Sequence, residues 1–186
     1  MLRPLSAVLI VASIALAGCS NNPAQSSPAI DKLGKVEFSI SCDAAVRADF
    51  NHAVALLHHM TYTQARTPFQ AIADKDPHCA MAQWGIAMTL FQPLWPTRPS
   101  AADLQLGWRS AQKGLALDPP TGREKAYVRA VAAFFQNPDS TDYWQRIDRW
   151  ETMMKSVHES FPEDAEVQSK RFRSVGGLGV PTAGTE

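Results

Sequence analysis

From Ala44 onward the apolar residues recur at helical spacing. Val46, Phe50, Ala53 and Leu57 stand at i, i+4, i+7 and i+11, one stripe along one helix face. Ala65, Phe69 and Ile72 form a second stripe, closed by Asp76-Pro77. Ala80, Trp84, Ala87 and Phe91 repeat the first spacing. Leu104, Trp108, Ala111 and Leu115 follow, closed by Asp118-Pro119. Tyr127, Val131 and Phe134 make a fifth stripe. Ile147, Trp150, Met154, Val157 and Phe161 make a sixth, closed by Pro162. Proline ends a helix because it lacks the N–H and clashes with the preceding turn. The pattern predicts an all-α chain of six helices in three hairpins. Before it, Val36, Phe38 and Ile40 alternate with polar residues, so a short extended stretch leads into the first helix.

The hairpins are related to one another. Ala65, Phe69 and Pro77 keep the offsets 0, +4 and +12, as do Gly107, Ala111 and Pro119, and again Trp150, Met154 and Pro162. Ala53 supplies a small residue in the first helix, and Trp84-Gly85 has the same feature in the second hairpin. On these residues the chain resembles tetratricopeptide-repeat proteins, whose second helix carries A-x3-F and a later proline. The resemblance covers residues 44–165 and implies a TPR-like α-solenoid of stacked antiparallel hairpins. The three units are spaced by 42 and 43 residues, against about 34 in that family. The surplus falls in 93–103 and around 136–141. Leu56-Leu57-His58, the run from Asp76 to Ala82 and the run from Trp84 to Met88 further resemble a group of exported bacterial repeat proteins. Those chains are usually much longer, so this one reads as a shortened member. Its third hairpin, with Trp150, Met153, Met154 and Val157, is then expected to leave apolar surface uncovered.

The front of the chain gives an address. Arg3, the apolar run from Leu5 to Leu16 and a small-residue cleavage site make a secretory signal peptide. The run is too short to span a bilayer, which takes about 20 residues. Leu16-Ala17-Gly18-Cys19 resembles the lipobox of bacterial lipoproteins, which implies that Cys19 is acylated. Ser20 beside it resembles the signal for outer-membrane sorting. The expected organisation is a signal peptide at 1–18, a flexible tether at 19–41, a helical domain at 42–167 and a disordered tail at 168–186. The tether is rich in Ser, Asn and Pro, and the tail carries Gly176, Gly177, Gly179, Gly184 and Pro181.

Charge and chemistry narrow the function classes. The chain has 18 basic and 18 acidic residues, and processing removes only Arg3. Nothing here is basic enough for a nucleic-acid partner. There is no Gly-x-Ser-x-Gly, His-Glu-x-x-His or Cys-x-x-Cys-His, so no catalytic class and no cofactor is expected. Glu163-Asp164 read as acidic residues opening a helix. Cys42 and Cys79 remain as a pair once Cys19 is assigned to lipid. Each precedes the first helix of its hairpin, and those helices are neighbours in a repeat stack, so a disulfide is expected.

Two functions remain open. Stacked hairpins make a concave recognition surface. By the resemblance, the first helix of each hairpin lines it, with Arg47, Asn51, His58, Met88 and Gln92 facing a protein or extended peptide of the cell envelope. The alternative is periplasmic metal handling through His58, His59, Met60, His78, Met81 and Met88. The proline-rich 91–99 connection, with Leu94-Trp95 at its tip, packs on its own domain or meets a partner.

Overall fold

The computed structural model describes residues 33–92, 98–164 and 166. Six helices follow one another: α1 (Arg47–His58), α2 (Tyr62–Lys75), α3 (Ala80–Phe91), α4 (Ala101–Ala116), α5 (Gly122–Phe135) and α6 (Tyr143–Ser160). A short 3-10 turn, Ala44–Val46, precedes α1. The fold is all-α, built from antiparallel hairpins stacked in sequence order, with α3 packed against α2, α4 and α5. Side-chain caps set several starts: Ser100 and Asp103 form a capping box on α4, while Thr121 and Asp142 cap α5 and α6.

Helix α3 is the centre of the core. All twelve of its residues are buried, as expected for a helix that is apolar on every side. Its stripe is therefore not confined to Ala80, Trp84, Ala87 and Phe91. Gly85 makes the approach of α2 possible, because a methyl group there would overlap the buried Phe69 ring. Gly107 stands in the same relation to Phe135 between α4 and α5. Gly85→Ala should destabilise by about 1–3 kcal/mol through overpacking, although alanine favours a helix by about 1 kcal/mol over glycine. A urea midpoint that rises on this substitution would contradict the packing argument.

The stripe on α4 differs from the sequence expectation. The buried residues are Gly107, Ser110, Ala111 and Gly114, whereas Leu104 and Trp108 only pack against the core margin and Leu115 is 38% exposed. Small residues bring α4 close to its neighbours, so the large side chains lie at the flanks. The uncovered apolar face expected on the third hairpin is also absent among the described residues. Trp150, Met154 and Val157 are buried and Met153 packs on the core. Asp148, Thr152, Lys155, Ser156 and Glu159 face solvent, so α6 presents a polar outer face. In this hairpin Trp144 is the large exposed hydrophobic, at 50%, and the Arg98 guanidinium lies 4.8 Å from its ring.

The boundary drawn at residue 42 moves as well. Phe38 and Ile40 are buried in the core and Val36 packs against it, while Lys35, Glu37 and Ser39 are exposed. This period of two is that of an extended chain. Residues 36–41 are thus part of the folded unit, not of a tether. The signal peptide, residues 19–32 of the tether with Cys19, the Leu94-Trp95 tip and the 168–186 tail lie outside the described residues. No described helix is long and apolar enough to cross a membrane.

Candidate binding groove

The first helices of the three hairpins, α1, α3 and α5, share one face, and residues 33–41 lie along it as a strap. Its anchor is Phe38, whose ring centroid sits 5.5 Å from Phe50, 5.4 Å from Trp84 and 5.5 Å from Tyr127. Each helix thus contributes one aromatic to a common floor, at distances favourable for aromatic pairs. The Arg123 guanidinium covers Phe38 at 4.4 Å.

Side chains also hold the strap's backbone. Asn51 Oδ1 accepts from the Phe38 N–H at 3.0 Å. Arg123 Nη1 donates to Ser39 O at 2.9 Å. The buried Glu124 carboxylate accepts from the Ser41 N–H at 2.8 Å and from the Ser41 hydroxyl. Local sequence explains the placement of Glu124. Thr121-x-x-Glu124 is a capping pattern, and Thr121 caps the Glu124 N–H. The carboxylate, however, bonds the Thr121 hydroxyl and the strap. At its far end His59 Nε2 bonds Leu33 O at 3.0 Å. The strap therefore runs from the C-terminal end of α1 toward the N-termini of α3 and α5.

A disulfide closes that end. Cys42 and Cys79 are bonded, with Cα atoms 4.9 Å apart, as the repeat-neighbour argument requires. Asp76 braces the junction by accepting from the N–H groups of Asp43 and His78 at 2.9 and 3.1 Å.

The chain following α6 returns across the same face. Asp164 accepts from Arg123 Nε at 2.5 Å and from the Tyr127 hydroxyl at 3.0 Å. His58 Nε2 lies 2.9 Å from a Glu166 carboxylate oxygen. Burial would lower the Arg123 pKa, but the hydrogen bond and charge of Asp164 more than offset it, so it stands above the ordinary arginine value. Burial, reinforced by the Asp164 charge, pushes the Tyr127 hydroxyl far above the usual tyrosine value. Asp164 therefore ties α5 to the returning chain. Between the strap and residues 161–164 with Glu166 a cleft of about 780 Å³ remains, with Lys35, Glu37, Ser39, His58, Arg123 and Glu163 among its lining residues.

The expected partner-facing residues fare differently. Asn51 and His58 do face the strap and the cleft. Arg47 is exposed at the start of α1. Met88 is 6% exposed and belongs to the core, since α3 is covered on all sides. Gln92 ends α3 in a left-handed conformation and its side-chain amide donates to Thr89 O. Neither Met88 nor Gln92 lines the cleft. The residues that sequence reasoning missed are Arg123, Glu124, Asp164 and Glu166. They come from the third hairpin and its return, where the repeat pattern was weakest.

The His/Met set is not gathered into one site. Met81 and Met88 are buried in the core, while His59, Met60 and His78 are exposed. Among the described residues the one group with ligand atoms near enough for a metal ion is Cys42, Asp76 and Cys79, and its two sulfurs are bonded to each other. Compared with protein-family models, with curated proteins and with solved structures, the chain finds no match.

Proposed function

We propose that this protein is a lipid-anchored envelope protein, held to the membrane through Cys19, that binds a protein or peptide partner in extended form. One observation carries the reading: the face of α1, α3 and α5 already grips an extended chain, its own strap. It does so through an aromatic floor and four side chains bonded to backbone groups, those of Asn51, His59, Arg123 and Glu124. Main-chain hydrogen bonds with pockets for alternate side chains are a general mode of peptide recognition. The tetratricopeptide resemblance supports the same use of this face.

The test has two parts. Acyl labelling of Cys19→Ala in cells should vanish, and retained palmitate would contradict the anchor. Phage panning of a random nine-residue library on the purified mature chain should enrich a common motif. The enriched peptides should be displaced by one another and should protect amides of residues 33–41 from hydrogen exchange. A library that enriches nothing would contradict the binding reading.

A further inference from the structure

The strap is more than a filler of the groove, because one stretch of its backbone edge is not bonded to protein. In an extended chain the N–H and C=O of successive residues point to opposite edges. The Phe38 N–H is turned to Asn51 on α1 and the Ser39 C=O to Arg123 on α5. Glu37 therefore shares the Ser39 edge, and both residues line the cleft. Among the described residues, neither the backbone groups of Glu37 nor the Ser39 N–H bond to protein. On that edge Arg123 and Glu124 take the Ser39 C=O and the Ser41 N–H, which leaves three free groups in a row, and free groups along an extended backbone are a template for another extended chain. It borders a cleft rather than a flat surface, so there is room for that chain.

Charge says what kind of chain fits. The cleft is lined by four carboxylates, those of Glu37, Glu163, Asp164 and Glu166. The cations beside them are Lys35 and Arg123, and the His58 imidazole lies there too. Three of the carboxylates have a partner: Glu37 with Lys35 at 2.5 Å, Asp164 with Arg123 and Glu166 with His58. Glu163 is exposed and has no ion pair among the described residues. The carboxylates of the cleft outnumber its cations.

Resting on the peptide-binding reading above, we propose that the cleft takes an extended partner segment bearing a lysine or arginine. This segment pairs through its backbone with the Glu37 N–H and C=O and the Ser39 N–H, and sets its basic side chain beside Glu163. The strap is then the docking strand, fixed at one end by the disulfide and along its length by Asn51, Arg123 and Glu124. The partner adds to it without displacing Phe38 from the aromatic floor.

The experiment uses the purified mature chain and three fluorescein-labelled nonapeptides. The first alternates valine and serine with a central lysine. The second has glutamate in place of that lysine. The third is the lysine peptide N-methylated at every residue, which removes the backbone donors on both edges. Anisotropy should show the lysine peptide binding, with the glutamate and N-methyl peptides at least about tenfold weaker. Glu163→Lys should weaken the lysine peptide about five- to tenfold and strengthen the glutamate peptide. Asp74→Lys, on exposed α2 surface away from the cleft, should change neither. Equal binding of the N-methylated peptide would overturn edge pairing, and indifference to charge reversal would overturn the role of Glu163. If none of the three peptides binds while library panning yields binders, this inference falls and the broader reading stands; if panning also fails, both fall. Dimerisation abolished by Glu163→Lys would make the occupant a second copy and overturn the proposal.

Discussion

Arg146→Met is expected to lower the unfolding free energy by about 3–5 kcal/mol, a loss outside the range of ordinary surface substitutions. Arg146 is 1% exposed although it belongs to a helix whose outer face is polar. Among the described residues its guanidinium has no carboxylate partner and is held by carbonyls instead. Nη1 donates to Phe134 O and Gln136 O at 3.0 and 3.1 Å. Nη2 donates to Asn137 O and Pro138 O at 2.8 and 2.9 Å, and Nε to Thr141 O at 3.1 Å. All five donors of the fork are used. Burial draws its pKa below the ordinary arginine value, with Arg149 adding to this and Asp139 and Asp142 opposing it. One side chain thus satisfies carbonyls at the C-terminal end of α5 and along the turn into α6, including that of Asn137 at φ 54°.

Methionine fills similar volume but leaves those carbonyls without a donor, and each charge-assisted bond lost counts for roughly 1.5–3 kcal/mol before relaxation. Arg146→Lys keeps the charge with three donors and a different shape, so it should recover only part of the loss. Urea unfolding followed by circular dichroism reads both. A midpoint within error of the wild type for Arg146→Met would mean that water replaces the guanidinium and that the clamp contributes nothing.

The sequence carries no sign of this clamp, and the reason is physical. Arg146 stands one residue before the buried Ile147, where a periodic reading places a side chain at the edge of the solvated face. Its burial is made by the turn at 136–141, which wraps round it, and no local pattern encodes that wrapping. Helix positions, by contrast, are legible because the stripes are local: all six appear in the expected order, and the Asp-Pro stops coincide with the ends of α2 and α4 to within three residues. The stop rule still has an exception in Pro68, which lies inside α2. Its missing N–H frees the carbonyl of Gln64, an exposed residue that water can reach.

The groove was legible in part for the same reason. Its position on α1, α3 and α5 follows from the repeat, and Asn51 and His58 follow from helix phase on α1. Phase fails on α3, since a helix apolar on every side has no outward face on which to place Met88. The strap was visible as the alternation of Val36, Phe38 and Ile40. That it folds back over three helices depends on contacts between residues as far apart as Ser41 and Glu124, which periodicity does not carry.

Removing the Cys42–Cys79 bridge should cost about 3–4 kcal/mol, because the cross-link closes a loop of 37 residues and restricts the unfolded chain. Loss of that size lowers the thermal midpoint by roughly 6–16 °C in a domain of this length. Cys42→Ala with Cys79→Ala, and the wild type in reducing agent, should unfold at nearly the same midpoint, since both cysteines are buried and neither variant introduces a charge. The bridge also has a local consequence. It fixes the strap immediately after Ser41, at the end where Glu124 holds it. Without it the strap depends on Phe38 and on the bonds to Asn51, Arg123 and Glu124. Hydrogen exchange at Phe38 and Ser41 should then accelerate by more than the global stability change explains, because the strap can open without the helices. Equal acceleration across α3 and the strap would mean that the bridge acts only through the unfolded state. Two free thiols titrated in the unfolded, unreduced Cys19→Ser chain would remove the premise altogether.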